Sequence, residues 1–382
     1  MVRLSILFSL LLTLAAGSLV AAAPNSSTGD LEVVASGLIS PRAFTWGADG
    51  TLYVAQAGTG GTTAATEEAP VSKIIGPFKG GPTASVVRID AGCPVLVADG
   101  LPSVVSGTGE MLGAEAVAIL GDHLYVSVDG GGPVHGNPDA PSGVYRVLED
   151  GTTEVVADLS AWTRANPVAT LPPDDDPDAA GFSMVADEAA GLLWVANPNS
   201  GEVLTVSPDG AVTRVADLSS PHLVPTGMVL DPEGGVYVGF LTPVPFPDGA
   251  SKVIHVAADG TVEDVWTGLT AVTSVAIGAD GTLYATEMST GNTEKPPFMV
   301  PGSGRVVHQT GPDSAEPVAE GLMMPIASAF GPDGALYIAL PGSGANQGEG
   351  MIGRIDLAAT GSKATPAAAA APAKCVPTGG GE

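Results

Sequence analysis

Apolar residues along this chain come in short runs with a period of two, separated by clusters of Gly, Pro and Asp, and one such phrase repeats. An aromatic flanked by aliphatic residues occurs at Leu52-Tyr53-Val54, Leu124-Tyr125-Val126, Leu193-Trp194-Val195, Val236-Tyr237-Val238, Leu283-Tyr284-Ala285 and Leu336-Tyr337-Ile338. Each copy follows a turn sequence, "GADG", "LGDH", "DEAAG", "DPEGG", "GADG" or "GPDG", and before the turn lies a short apolar stretch such as "AFTWG", "AVAIL" or "SVAIG". Downstream comes a second strand-like phrase ("SVVRID", "GVYRVL", "GEVLTV", "SKVIHV", "GRVVHQ", "MIGRID"). After a further turn comes a third ("CPVLVADGL", "TEVVADL", "VTRVADL", "VEDVWTGL", "AEPVAEGL"). Alternating or uniformly apolar runs bounded by turn residues predict β-strands, and no helical period is long enough to compete.

The third phrase occurs only five times downstream, and its sixth copy, "LEVVASGL" at 31–38, stands ahead of the first aromatic unit. Six units of four short strands, about 40–50 residues apart once loop insertions are discounted, predict an all-β fold, a six-bladed β-propeller. The strands of a blade are lettered A to D from the central channel outward. The N-terminal copy then supplies strand D of the last blade, whose own A, B and C end near Asp356, so the first strand closes the ring and protects a sheet edge. A β-sandwich does not predict six equivalent aromatics. A β-helix does not predict a strand type missing at one end and present at the other.

In this layout "GADG" at 47–50 joins strand A to strand B, and Asp-Gly between two apolar runs is a hairpin signal. A calcium loop needs several oxygen ligands at fixed offsets, whereas each of these turns offers one carboxylate, so the turn acid reads as scaffold. The A–B and C–D turns share one face of a propeller and are uniformly tight. The opposite face carries insertions at 56–84, 101–114, 129–142, 159–181, 241–250, 288–303 and 341–350. Loops held by a rigid scaffold are where binding residues concentrate, so a ligand site is expected there.

Composition narrows the partners. The 382 residues include 52 Gly and 33 Pro, too many for long helices, and 45 % are apolar, enough for a large core. With 14 basic against 41 acidic residues the formal charge is −27, which repels nucleic acid and anionic lipid. Arg3, an apolar run from Leu4 to Ala16 and the small residues Val20 to Ala23 before Pro24 read as a signal peptide over 1–23. The mature chain shows no membrane span, and a secreted or extracytoplasmic protein of the periplasm or cell envelope, monomeric, is expected. In such a compartment Cys93 and Cys375 are free to pair, and a bridge between them would pin the Ala/Pro/Gly-rich tail, 358–382, to the propeller of 31–357.

Residues where strand A begins or strand B ends should ring the loop-face mouth of the channel: Arg42, Gln56, Glu115, Asp129, Ser183, Asn197, Thr226, Ser274 and Glu287. Of these, Glu115, Asp129, Asn197 and Glu287 are oxygen ligands suited to Ca²⁺ or another divalent cation, provided that they converge on the channel axis. The competing reading is a polar mouth on a water-filled channel. His135 in "GGGPVHGNPD" and the acidic run Asp174 to Asp178 are expected to be solvated loop residues. Phe78, Phe246 and Phe298, beside prolines in the insertions, are expected either to fold back over the blade edges or to form an apolar patch. The sequence contains no GxSxG, HExxH or phosphate-cradling Gly loop followed by a helix, and no catalytic set is assigned.

The stretches "VVASGLISPRAFTWGADGTLYVAQAGTGG" and "PTGMVLDPEGGVYVGFLTPVPFPDGASKVIHVAADG" resemble the ScyD/ScyE family of exported, NHL-like β-propeller proteins, and the likeness covers nearly all of 31–357. The resemblance implies an extracytoplasmic six-bladed propeller and supplies no reaction or catalytic residues. One departure is "PDDDPDAAGFSMV", where an Asn-Pro-Tyr-like approach to the third blade would be expected, so a shared ligand at that blade does not carry over. The leading expectation is a protein that binds a small molecule or partner protein through its loop-rich face. The alternative is a divalent-cation-dependent hydrolase or lactonase, resembling the gluconolactonase-like propellers, with a metal at the channel mouth.

Overall fold

The computed structural model describes residues 31–178, 181–345, 347–357 and Cys375. The expected signal peptide, and all of the expected tail except Cys375, lie outside the described residues.

Six antiparallel sheets form the blades. Blade one is Pro41–Trp46, Leu52–Gln56, Lys79–Asp90 and Cys93–Val105. Blade two is Ala114–Leu120, His123–Val128, Gly143–Val147 and Thr153–Asp158. Blade three is Ser183–Asp187, Leu192–Asn197, Glu202–Val206 and Val212–Asp217. Blade four is Pro225–Leu230, Val236–Phe240, Ser251–Val256 and Val262–Leu269. Blade five is Val272–Ile277, Leu283–Glu287, Gly304–Gly311 and Ser314–Leu322. Blade six is Ala327–Phe330, Leu336–Leu340 and Gly350–Ile355, completed by Glu32–Leu38 as strand D. That closing strand pairs from Glu32 opposite Arg354 to Leu38 opposite Gly350, so the ring is shut by the displaced phrase.

The repeated aromatic phrase has a packing cause. Strand side chains alternate between faces, and a propeller blade is buried on both. In blade one, Leu52 and Val54 pack toward blade six, while Tyr53 and Ala55 pack toward blade two. In blade three, Leu193 and Val195 face blade two and Trp194 faces blade four. Blade six repeats this, with Leu336 and Ile338 on blade five and Tyr337 on blade one. The aliphatic pair thus always meets the preceding blade and the aromatic the following one. Each interface between blades accordingly has its own apolar cluster.

The acids of the tight turns close those turns, and Asp333 also accepts from Arg354 Nε at 2.8 Å. The Asp49, Asp280 and Asp333 Oδ1 atoms accept the backbone N–H two residues on, at 3.0, 3.0 and 3.2 Å. Gly50, Gly281 and Gly334 beside them take φ of 81°, 83° and 76°, the conformation a side chain resists. At the seam of the ring, Cys93 opens strand D of blade one and is disulfide-bonded to Cys375. Ser36 of the closing strand donates its N–H to the Gly92 carbonyl at 3.2 Å, so the bridge sits where blade six meets blade one.

Candidate functional site

The loop face divides into two halves. Over blades one to three, the insertions fold together into a cap. Strands C and D of blade one run past the blade as a hairpin that gains a third strand, Met111–Leu112. A short strand at Thr63–Ala64 and a 3-10 turn at Pro70–Lys73 lie against it, and a helix at Leu159–Ala165, N-capped by Asp158, follows blade two. Ala69, Val71, Phe78, Val104 and Val134 bury a small apolar core of their own.

Beneath this cap lies a polar network that overturns two expectations. His135 is 0 % exposed, and Asp176 and Asp178 are buried beside it, not solvated at a loop tip. His135 Nε2 is 2.9 Å from Asp176 Oδ2, and its ring meets Phe78 edge to face. Asp178 accepts from the Val134 N–H at 2.8 Å and from Arg164 at 2.9 Å, and Arg164 also reaches Glu67. Burial alone would lower the imidazole pKa, but the charge and hydrogen bond of Asp176, with Asp129 and Asp178, raise it from 6.5 to about 9. The cause of burial is the backbone. Gly132 presses against Asp178, and Gly80 against the His135 carbonyl, at positions that a Cβ would fill. Phe78 is likewise buried in the cap, whereas Phe246 and Phe298, on the loops of blades four and five, are half-buried.

At the centre all six blades line one cavity of about 30 Å³, the room of a few waters at ~10–15 Å³ each. Arg42, Glu115, Ser183 and Ser274 meet there with Phe182, Gly227, Thr273 and Ile326. A side chain at Gly227 would overlap the Ser274 backbone, which is why the A strands of blades four and five approach so closely. Arg42 Nε donates to Glu115 Oε2 at 2.7 Å with both side chains buried, and Glu115 Oε1 accepts from the Gly113 N–H at 3.0 Å. Arg42 Nη1 reaches the Gly342 carbonyl at 2.9 Å and Nη2 the Met111 carbonyl, so the guanidinium ties blades one, two and six. Burial lifts the Glu115 carboxyl above its usual range against the opposing charge of Arg42.

The other expected mouth residues are spent elsewhere. Gln56 accepts the Ile39 N–H at 2.6 Å, and Glu287 accepts the Thr270 N–H at 2.6 Å while pairing with Arg305. Both therefore clip the D–A connection of the preceding blade onto strand B. Asn197 bonds Ser200 and Glu202 within blade three, and Thr226 donates to the Gly239 and Val272 carbonyls. Asp129 is buried and holds the Gly113 carbonyl through its N–H. Among the described residues, no three His, Cys, Asp or Glu side chains form a group able to hold a metal ion, so Glu115, Asp129 and Glu287 do not converge.

Sequence reasoning missed Glu110. Its backbone is set by a turn in which Gly109 N–H donates to the Ser106 carbonyl at 3.0 Å and Glu110 N–H to Ser106 Oγ at 3.0 Å. The side chain is solvent-accessible, yet the protein around it raises its carboxyl above the usual range, against the nearby charge of Arg42. It also acts electrostatically on Glu115. Phe182 and Ile326 line the central cavity with Arg42 and Glu115, and Phe182, Met299 and Met324 are half-buried against the apolar cluster that includes Met288 and Ile326. Gly342, whose carbonyl holds Arg42, donates its N–H to the Met324 carbonyl at 2.7 Å. The only sequence signal for Glu110 was its place in the insertion at 101–114.

No helix among the described residues is long and apolar enough to cross a membrane. No protein-family model and no curated protein matches the sequence. Among solved structures, the chain is similar to the PQQ-bound form of an aldose sugar dehydrogenase from Streptomyces coelicolor, with 14 % identity and a TM-score of 0.53 over 88 % of this chain and 99 % of that one. It is also similar to the calcium-binding protein regucalcin from Agrobacterium tumefaciens, with 14 % identity and a TM-score of 0.51 over 86 % and 92 %. A putative oxidoreductase (glucose dehydrogenase) from Thermus thermophilus gives 16 % identity and a TM-score of 0.51 over 85 % and 99 %. At these identities the likeness is one of fold, and it sets the chain among the β-propellers.

Proposed function

We propose that this is an exported propeller, of the kind found in the ScyD/ScyE family, that binds a small molecule at the loop-face mouth of its channel without transforming it. The observation that carries this reading is the mouth itself. A buried Arg42–Glu115 pair meets Phe182, Ser183, Ser274 and Ile326 where all six blades line one cavity. Few polar groups set in an apolar surround are the usual composition of a ligand site. Export is supported by the leader-like sequence of 1–23 and by the disulfide.

The metal-dependent hydrolase has less support, since Glu115 and Glu287 already neutralise Arg42 and Arg305. The test is metal analysis of the purified protein, followed by thermal-shift screening against divalent cations, lactones and aromatic metabolites. The reading expects an organic molecule to raise Tm and a chelator to leave it unchanged. Stoichiometric metal whose removal lowers Tm, with turnover of a lactone, would support the hydrolase instead.

A further inference from the structure

We propose that the cap is a pH-sensitive latch. The charge of His135 holds the insertion 129–142 on the insertion 159–181, and its loss loosens the two and draws the Met111 carbonyl off Arg42 at the mouth. The latch does not depend on what the mouth binds.

Three other insertions converge on the turn that carries His135. From 56–84, the Thr66 and Glu67 N–H groups donate to the Pro133 carbonyl at 2.9 and 3.3 Å, and Phe78 meets the imidazole edge to face. From 159–181, Asp178 accepts the Val134 N–H and Asp176 pairs with His135 Nε2. Toward 101–114, Asn137 Nδ2 donates to the Ser103 carbonyl at 2.9 Å and ties the turn to the blade-one hairpin. That hairpin carries Met111, which pairs with Val105 and gives its carbonyl to Arg42 Nη2. A second route runs through Asp129, whose N–H holds the Gly113 carbonyl at 2.7 Å while the Gly113 N–H donates to Glu115 Oε1. The cap is thus joined to the Arg42–Glu115 pair through the residues on either side of Leu112.

His135 is the charge that can release this docking. Asp176 and Asp178 of 159–181 and Asp129 of its own insertion are buried, 3 %, 0 % and 4 % exposed, and all three act on its charge. The cations set against them are His135 and Arg164, and Arg164 is shared between Asp178 and Glu67. Of the other charged side chains on these insertions, Glu68, Lys73, Lys79, Glu110 and Asp139 are exposed, and Asp174 and Asp175 are half-buried. Loss of the imidazolium proton therefore leaves three buried acids with one cation among the described residues, and a buried charge without its partner is costly. His135 Nδ1 is buried with no hydrogen-bond partner among the described residues, so the ring holds 159–181 through Nε2. The apolar core of the cap is five residues, against twelve in the cluster between blades two and three, so charge carries more of the docking here than it does between blades. Its neighbours keep the imidazole protonated up to about pH 9, so the latch is complete below about 6.5 and is lost as pH rises through 9.

Trp162 reports the state of the cap, since it lies on the helix of 159–181 with the Arg214 guanidinium 5.1 Å from its ring centre. Its fluorescence, taken as the native spectrum less that of Trp162→Phe, is expected to change reversibly between about pH 8 and 10 while the far-ultraviolet circular dichroism stays constant. His135→Gln, uncharged at every pH, is expected to lack that change. At pH 7 its amides in 111–115, 129–137 and 163–178 should exchange about tenfold or more faster than the native ones, with 278–282 at the native rate. The same fluorescence change in His135→Gln, or none in the native protein short of unfolding, would overturn the latch. Faster exchange in the insertions with none at 111–115 would overturn the link to the mouth. Where His135→Gln does not fold, the native protein decides: a serine protease active at pH 7 and pH 10 should cut within 129–142 or 159–178 at the higher pH only, and intact insertions at pH 10 refute the latch.

Discussion

Asp49 and Asp280 on the tight face each bond the backbone two residues away, and both are exposed, with carboxyls held below the usual range by those bonds. Glu115 and Asp176 on the loop face instead meet partners 73 and 41 residues away and are buried. The first kind of acid closes a turn that forms by itself. The second kind exists only after the ring has closed and the insertions have docked. Function is expected with the second kind, because there charge is held away from water by long-range structure and a ligand can compete for it.

Substitutions should separate the two faces, and the largest effect is expected at the channel. Arg42→Met leaves Glu115 buried without its cation, and a broken buried pair costs about 3–5 kcal/mol. Urea denaturation should show this as a lowered midpoint, and a change of under about 1 kcal/mol would mean that water enters the channel freely. Next comes the seam. Cys93→Ser should lower stability by about 2–4 kcal/mol in the loop-entropy account, and reductant should then have no further effect on the variant.

A smaller effect, defined mainly by its pH dependence, is expected at His135. Its folded pKa of about 9 lies above the ordinary 6.5, so its contribution is complete below about 6.5 and is lost as pH rises through 9. Asp176, Asp129 and Asp178 are the acids whose charges act on it. Tm measured from pH 6 to 10 should therefore fall more steeply in the native protein than in His135→Phe, and parallel curves would refute the buried imidazolium. The smallest effect is expected at Asp49→Asn, whose exposed turn should leave the denaturation midpoint unchanged within error.

The same contrast explains what the sequence could convey. The blade pattern was legible because Leu52, Tyr53 and Val54 must alternate between two neighbouring blades, and period two is written into adjacent residues. The displaced "LEVVASGL" was legible for the same reason, since a missing strand in a repeat is visible by counting. Arg42, Glu115, Ser183 and Ser274 line the central cavity because they lie on strand A, the strand nearest the axis. Gln56, Asn197 and Glu287 end strand B, but their side chains turn to partners in the blades and their connections, the Ile39 N–H for Gln56, Ser200 and Glu202 for Asn197, and Arg305 for Glu287. The cap was not legible at all. Whether His135 is solvated depends on docking 129–142 against 159–181, and no local period encodes that contact. Glu110 was hidden for a related reason, its direction being fixed by a turn on Ser106 inside an insertion.

The central claim is that ligand binding belongs to the loop-face mouth. Hydrogen exchange of the oxidised protein, with and without the molecule that raises its Tm most in the screen, tests it most directly. The account predicts slowed exchange in 106–115, 182–184 and 324–328, with 47–51 and 278–282 on the tight face unchanged. Protection at the tight turns or along the outer D strands, with the mouth unaffected, would contradict it.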